Sequence, residues 1–466
     1  MRYVSTRGEA PVLDFSDVLL AGLARDGGLY VPQTWPSFNE EDWQGLIGLD
    51  YPTLAARMFA PFVGDAFTLE TLEALTRDAY AGFSHKAVTP LVQIGPNDWL
   101  LELFHGPTFA FKDLAMQVLA RMMDAVLTQR DGRVTIVGAT SGDTGSAAIE
   151  AFKGSSRVDI FILHPKGRVS PIQRRQMTTV DAPNVFNIAI EGTFDDAQAL
   201  VKAMFNDLKF RDALNLAGIN SINWARVMAQ TAYYAASALS LGAPARGVAF
   251  SVPTGNFGDV LAGYVAKRMG LPIERLVIAT NVNDILVRCL TNGIYATEGV
   301  KATQSPSMDI QVSSNFERLL FEAYGRDGQA VRALMSELSV QGRFSVSANA
   351  LNAIRGDFVA ARVEEEATSR TIAAVKSETG LVIDPHTAVG IAAGRVRRAE
   401  RHIPSITLAT AHPAKFGDAV KRAIGEVPTM PAALAALSGL SEHVSELPCD
   451  LEAVKAFVTA RSRAAA

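Results

Sequence analysis

The sequence predicts an α/β protein built on parallel sheets, with a separate, mostly helical lobe ahead of them. Three observations lead there. From about residue 99 to residue 280, short β-rich runs alternate with helical stretches, as in Val-Thr-Ile-Val at 134–137 before Gly138. Residues 1–92 carry helical patterns at 15–24, 50–59 and 69–83, punctuated by Pro61 and Pro90. Glycine- and hydroxyl-rich loops recur where strands run into helices, which is where parallel sheets present their ligand sites.

Taken in order, the helix at 15–24 is stopped by Asp26, Gly27 and Gly28, and 29–32 is extended. The strand at 134–137 feeds the Thr140-Ser-Gly-Asp-Thr-Gly145 loop and a helix reaching Phe152. A strand at 158–163 follows, then Ser170-Pro171 as an N-cap with proline at the first helical position. The strand at 185–190 leads to a helix opened by Asp195. Residues 219–223 enter a long helix carrying Tyr233 and Leu239, and the strand at 248–252 runs into Gly255-Asn-Phe-Gly258. Another strand lies at 276–280, then a polar, irregular stretch over 291–315 of the length that is usually functional or disordered. Helices are expected over 316–377, with Glu364, Glu365 and Glu366 on a solvated face, and a late strand at 406–409. The alanine-rich tail after Val427 reads as peripheral helices.

With 466 residues, 48% hydrophobic and 20% charged, the chain can bury a large core and divides into roughly two to four domains. The division expected is 1–92 and 93–466, the latter holding two α/β lobes, the smaller at about 106–230. A net charge of −4 argues against nucleic acid and anionic membranes as partners. Cys289 and Cys449 form no metal spacing and no disulfide framework, and both read as buried apolar fillers. No apolar run approaches the ~18 residues of a membrane span, and the first residues lack a signal-peptide pattern. The expectation is a cytoplasmic protein without a metal. Walker A, GxGxxG, HExxH and CxxC motifs are absent.

The chemistry centres on Phe104-His-Gly-Pro-Thr-Phe-Ala-Phe-Lys112. Lys112 stands at the start of an apolar helix among Phe109, Phe111 and Leu114, where lost solvation favours the neutral amine. A neutral amine is a nucleophile that condenses with carbonyls, including pyridoxal phosphate. Gly255, Asn256, Phe257 and Gly258 form a glycine loop at a helix N-terminus, which suits a phosphate, although such turns also serve geometry alone. Thr140, Ser141, Asp143 and Thr144 offer hydroxyls and backbone N–H groups suited to an amino acid's carboxylate. Ser221, Asn223 and Arg226, with Asn220, sit where a loop enters a helix and can hold a phosphate dianion; an N-cap plus a surface arginine is the competing reading. His105 and His386 are read as structural.

These stretches, together with Thr410-Ala-His-Pro-Ala-Lys-Phe416, resemble the threonine synthase family, and the resemblance runs from Tyr3-Val-Ser-Thr-Arg-Gly8 to at least Phe416. It implies the tryptophan synthase β-like fold of pyridoxal-phosphate enzymes, two parallel-sheet α/β/α domains. The segments Ser5-Thr-Arg7 and Asp26-Gly-Gly-Leu-Tyr-Val-Pro32 resemble the family's additional N-terminal domain. The resemblance implies that Lys112 carries pyridoxal phosphate, that Gly255–258 cup its phosphate, and that the Thr410 hydroxyl faces its ring nitrogen. It also implies that Thr140, Ser141, Asp143, Thr144, Ser221, Asn223 and Arg226 bind O-phospho-L-homoserine. The wider fold has asparagine at position 143, where an aspartate repels the ring oxygen unless protonated or turned away. A monomer or homodimer is expected.

Overall fold

The structure, a computed structural model, describes residues 1–465. Two parallel sheets form its frame. The larger has the order Phe358–Arg362, Ile273–Thr280, Val248–Pro253, Ser405–Ala409, Asp98–Glu102 and Leu91–Gly95. All its neighbours pair in parallel except the last two, which form an antiparallel edge. The smaller sheet has the order Ser445–Leu447, Val185–Ile190, Val158–Pro165, Val134–Ala139 and Leu216–Ala217, parallel throughout. The strands Val134–Ala139, Val158–Pro165 and Val248–Pro253 are buried along their whole length, so they read as mostly apolar runs rather than alternating ones. Helices Lys112–Gln129, Trp224–Ser240 and Gly258–Arg268 join the two sheets in one apolar core.

The N-terminal lobe is mostly helical, with helices Phe15–Ala21, Glu40–Gln44, Tyr51–Val63 and Leu69–Tyr80 beside three short antiparallel strands. Pro61 does not end its helix, which continues to Val63. So near the C-terminal end, proline removes one backbone bond and the buried faces of Phe59, Phe62 and Val63 hold the last turn. The lobe is pinned by charge to the larger unit: Glu317 accepts hydrogen bonds from Thr6 Oγ1 (2.6 Å), Arg7 Nε (3.1 Å) and Arg7 Nη2 (3.0 Å).

Four further expectations need correction. The stretch 316–377 is not wholly helical, because Phe358–Arg362 is the edge strand of the large sheet. It follows directly on the helix Ala348–Asp357, and five residues are too few to show a strand period. The tail is not merely peripheral: Ser445–Leu447 adds an edge strand beside Val185–Ile190, and Val454 and Val458 close the core of the small lobe. Cys289 is buried as expected, but Cys449 is exposed. Glu365 also departs from a solvated face, since it is half-buried and accepts from Gln304 N at 2.9 Å. Among the described residues, no helix is long and apolar enough to cross a membrane.

Candidate active site

The lysine stretch is laced to the strand end that carries Thr410. Leu103 N donates to Ala409 O (3.0 Å), Phe111 N to Thr410 O (2.8 Å) and His412 N to Phe109 O (3.1 Å). The loop turns at Phe109, which takes the left-handed backbone conformation (φ 59°). Thr108 closes it by donating from N and Oγ1 to the two oxygens of Asp113, at 2.8 and 2.7 Å. Gly106 is required there, since a Cβ would stand 2.5 Å from that of Asp113. Burial raises the Asp113 carboxyl to about 6, although the Thr108 bonds and Lys415 oppose the rise. The result is a rigid socket. Lys112 opens its helix there, with a side chain only 12% exposed and its Nζ 4.9 Å from the Phe111 ring centre.

Burial is the main influence on the Lys112 amine and lowers its pKa; Asp143 opposes this, while Lys415 and Arg226 add to it. Asp143 is buried between two lysines. Burial would raise its carboxyl, but Lys415 and Lys112, with hydrogen bonds from Lys415 and Gln173, outweigh burial and hold it well below the usual carboxylate range. Lys415 Nζ lies 2.7 Å from Oδ1 and also donates to Thr108 O at 2.8 Å. Gln173 Nε2 donates to Oδ1 at 2.8 Å. Neither Lys415 nor Gln173 was assigned from sequence, and a one-dimensional motif cannot show which carboxylate a lysine meets.

The loop after Val248–Pro253 has the build of an anion cradle. A Cβ on Gly255 would fall 2.7 Å from Ser307 O. Phe257, the helix N-cap, is left-handed (φ 64°), a conformation that costs about 1–3 kcal/mol for a non-glycine residue. Its ring, packed on Phe316 and Phe358, holds it there. The loop's carbonyls are tied backwards: Gly255 O accepts from Ser313 Oγ (2.6 Å), and Asn256 O from Asn315 N and Nδ2 (3.0 and 3.1 Å). Among the described residues, no hydrogen bond takes the N–H groups of Gly255, Asn256, Phe257 or Gly258. His386 buttresses this wall, accepting from Ser307 N on Nε2 (3.2 Å) while Nδ1 pairs with Asp384 (2.8 Å), so it is structural. His105 is likewise satisfied, by Glu102 at 2.7 Å.

The loop at 140–144 divides its labour. Thr140 Oγ1 is spent on the loop itself, accepting from Gly142 N and Gly145 N at 3.0 and 2.9 Å. Ser141 is exposed and Thr144 half-exposed at the start of the helix Asp143–Phe152, so these two remain open to a ligand. In the 220–226 segment, Asn223 is wholly buried. Its Oδ1 caps the helix through Ala225 N (3.0 Å), and its Nδ2 donates to Leu19 O and Gly218 O at 3.0 and 3.1 Å. Those bonds leave it no reach toward a substrate, because a helix that starts in a buried corner needs its cap filled by the protein itself. Asn223→Ala is therefore expected to cost about 2–4 kcal/mol in denaturant unfolding while leaving KM unchanged. A raised KM with unchanged stability would contradict this.

Arg226 is not a surface arginine. It is 3% exposed, and its Nη1 donates to Ile219 O at 3.1 Å. Nε has no partner and no carboxylate pairs with it among the described residues. Burial lowers its pKa to about 10. Ser221 lies against the cradle, its Cβ 3.6 Å from where a Cβ on Gly258 would stand. Asn315 joins the two loops by donating from Nδ2 to Ser221 O at 3.0 Å as well as to Asn256 O. Arg318, fully buried, donates to Asn315 Oδ1, to Ile222 O (2.6 Å) and to Tyr30 O (3.0 Å) of the N-terminal lobe. Asn315 and Arg318 escaped sequence reasoning because they lie in and just after the irregular stretch at 291–315.

A buried amine, an open N–H cradle and a threonine at a strand end, all beyond the carboxyl ends of parallel strands, fit pyridoxal phosphate. The class follows from comparison: residues 83–409 match the family described as "Pyridoxal-phosphate dependent enzyme". A tomato threonine deaminase structure shares the fold, with a TM-score of 0.53 at 13% identity, covering 85% of this chain and 98% of that one. Residues 2–80 match "Threonine synthase N terminus" and residues 387–458 match "Threonine synthase, C-terminal". A threonine synthase from Pseudomonas aeruginosa is 52% identical over 98% of both chains. The crystal structure of a PLP-bound threonine synthase from Brucella melitensis superposes with a TM-score of 0.96 at 58% identity, covering 99% of this chain and all of that one. The chain belongs to the threonine synthase family.

Proposed function

We infer that the enzyme converts O-phospho-L-homoserine and water to L-threonine and phosphate, with these loops holding the cofactor and the substrate. Arg226 carries the reading. A guanidinium taken out of water without a carboxylate is costly, and it becomes favourable when an anion arrives. Lys112 would be the attachment point of pyridoxal phosphate, the 255–258 loop would receive its phosphate, and Thr410 would face its ring nitrogen. When bound, the cofactor supplies an electron sink for a carbanion formed at the amino-bearing carbon. Ser141, Thr144 and the adjoining N–H groups orient the substrate carboxylate, while Ser221 and Arg226 hold its phosphate. Lys112, once free, is the base for the α-proton, its neutral form favoured by burial. Loss of a further proton from Cβ, departure of phosphate from Cγ, protonation of Cγ, addition of water at Cβ and return of a proton to Cα complete the replacement.

A dehydratase acting on unphosphorylated serine or threonine uses no such anion site, so the buried arginine argues against it. Product analysis with purified protein, pyridoxal phosphate and O-phosphohomoserine tests the reading. One threonine is expected for each phosphate released. Phosphate with 2-oxobutyrate instead would make the enzyme a phospho-lyase on the same site, and absence of phosphate would remove the substrate assignment.

A further inference from the structure

Lys415 is a second buried lysine, with no exposed side-chain surface, and the roles assigned above make no use of it. It shares Asp143 with Lys112. Three ionisable groups in one closed space cannot all be charged cheaply: two ammoniums and one carboxylate leave a net charge out of water. One ammonium and one carboxylate leave none. Geometry decides which amine keeps the proton. Lys415 Nζ has two acceptors at bonding distance, Asp143 Oδ1 (2.7 Å) and Thr108 O (2.8 Å). Lys112 Nζ stands 3.6 Å from Asp143 Oδ2, beyond a hydrogen bond, and no other acceptor meets it among the described residues. Gln173, donating to the same Oδ1, fixes the carboxylate so that it cannot swing toward Lys112.

We propose that Lys415 is a positioning residue that engages Asp143 as its own counter-ion, so that Lys112 stands as a neutral amine able to capture pyridoxal phosphate and to accept a proton. The proposal rests on Lys112 being the attachment point. Other charges bear on the pair from the surrounding elements. Arg226, on Trp224–Ser240, adds to the effect of Lys415 on Lys112. Asp259, on Gly258–Arg268, is held by the hydroxyls of Tyr233 (2.5 Å) and Tyr234 (2.9 Å), and burial raises its carboxyl to about 6. Asp113 and His412 both feel the Lys415 charge. None of these touches Asp143, so removal of Lys415 leaves Lys112 as its one cationic neighbour, with Gln173 still donating to Oδ1.

The test is the pH dependence of cofactor attachment, not of turnover. Full-length protein freed of cofactor is mixed with pyridoxal phosphate, and the rate of borohydride-trappable attachment at Lys112 is followed by absorbance and peptide mass. Titration of the cofactor itself is common to all variants and cancels. Lys415→Met is expected to move the midpoint upward by about 1–3 pH units, the usual effect of a carboxylate at this range, and to slow attachment at pH 7 by about 10–1,000-fold. Asp143→Asn has the lowest midpoint, and Asp143→Asn/Lys415→Met lies between the two. Should Lys415→Met fail to fold, the double variant, which buries no lone carboxylate, must still titrate above Asp143→Asn. Equal midpoints in wild type and Lys415→Met, or in those last two, overturn the proposal. Attachment at some other lysine in the wild type would instead overturn the assignment of Lys112.

Discussion

Lys112→Ala is expected to leave no measurable threonine formation, a loss of at least about 10³–10⁴-fold, because one substitution removes both the proposed covalent anchor and the proposed base. The protein itself should stay folded. Lys112 makes no hydrogen bond, and its loss leaves Asp143 still paired with Lys415 and Gln173. No buried charge is orphaned, so the melting temperature is expected to stay within a few degrees of the wild type. Steady-state assays with threonine detection, alongside thermal unfolding, check both halves. Turnover near the wild-type rate would remove Lys112 from the mechanism, and collapse of the fold would show that the socket depends on it.

Arg226→Met is expected to separate stability from substrate recognition. Methionine replaces a buried, carboxylate-free guanidinium by an apolar chain of similar length, a change that is usually neutral or stabilising. The ligand-free protein should therefore unfold at the same temperature or higher, despite losing the bond to Ile219 O. For O-phosphohomoserine, kcat/KM should fall by about 10²–10³-fold, the equivalent of about 3–4 kcal/mol of a buried charged contact. Arg226→Lys should recover only part of this, since a point charge does not reproduce the planar fork. Unfolding data combined with initial rates over a range of substrate concentrations read both effects. An unchanged kcat/KM would place the phosphate elsewhere.

The frame was legible where chemistry is local. The strands at 134–139, 158–165, 185–190, 248–253 and 405–409 announce themselves because buried parallel strands are mostly apolar, and the loops that follow them carry glycine for reasons of backbone space. Both glycine loops could be placed at strand ends on those grounds alone, whereas the lysine was placed only at the start of its helix, because the strand at 98–102 before it went unread. What escaped depends on partners distant in the chain. Asp143 and Lys415 stood in two recognised stretches, but nothing in either stretch says that they meet. Asn223 and Arg226 show the same limit within one segment. Both residue types bind phosphates, yet folding turns one inward as a helix cap and leaves the other unpaired. The strand at 358–362 and the tail strand at 445–447 were missed because each is too short to show a period and takes its identity from a neighbour.

The Arg318 side chain has a consequence for the order in which the enzyme becomes competent. Its bond to Tyr30 O spans 288 residues of sequence, and the same guanidinium holds Ile222 and, through Asn315, Asn256. Contacts so remote in sequence close late, after the local helices and strands have formed. The loops at 221–226 and 255–258 therefore reach their final spacing only when the first strands of the chain have docked against residues far downstream. Ligand affinity then works as a maturity mark: a chain still open between its ends has its lysine, its glycines and its arginine, but not yet a place for phosphate.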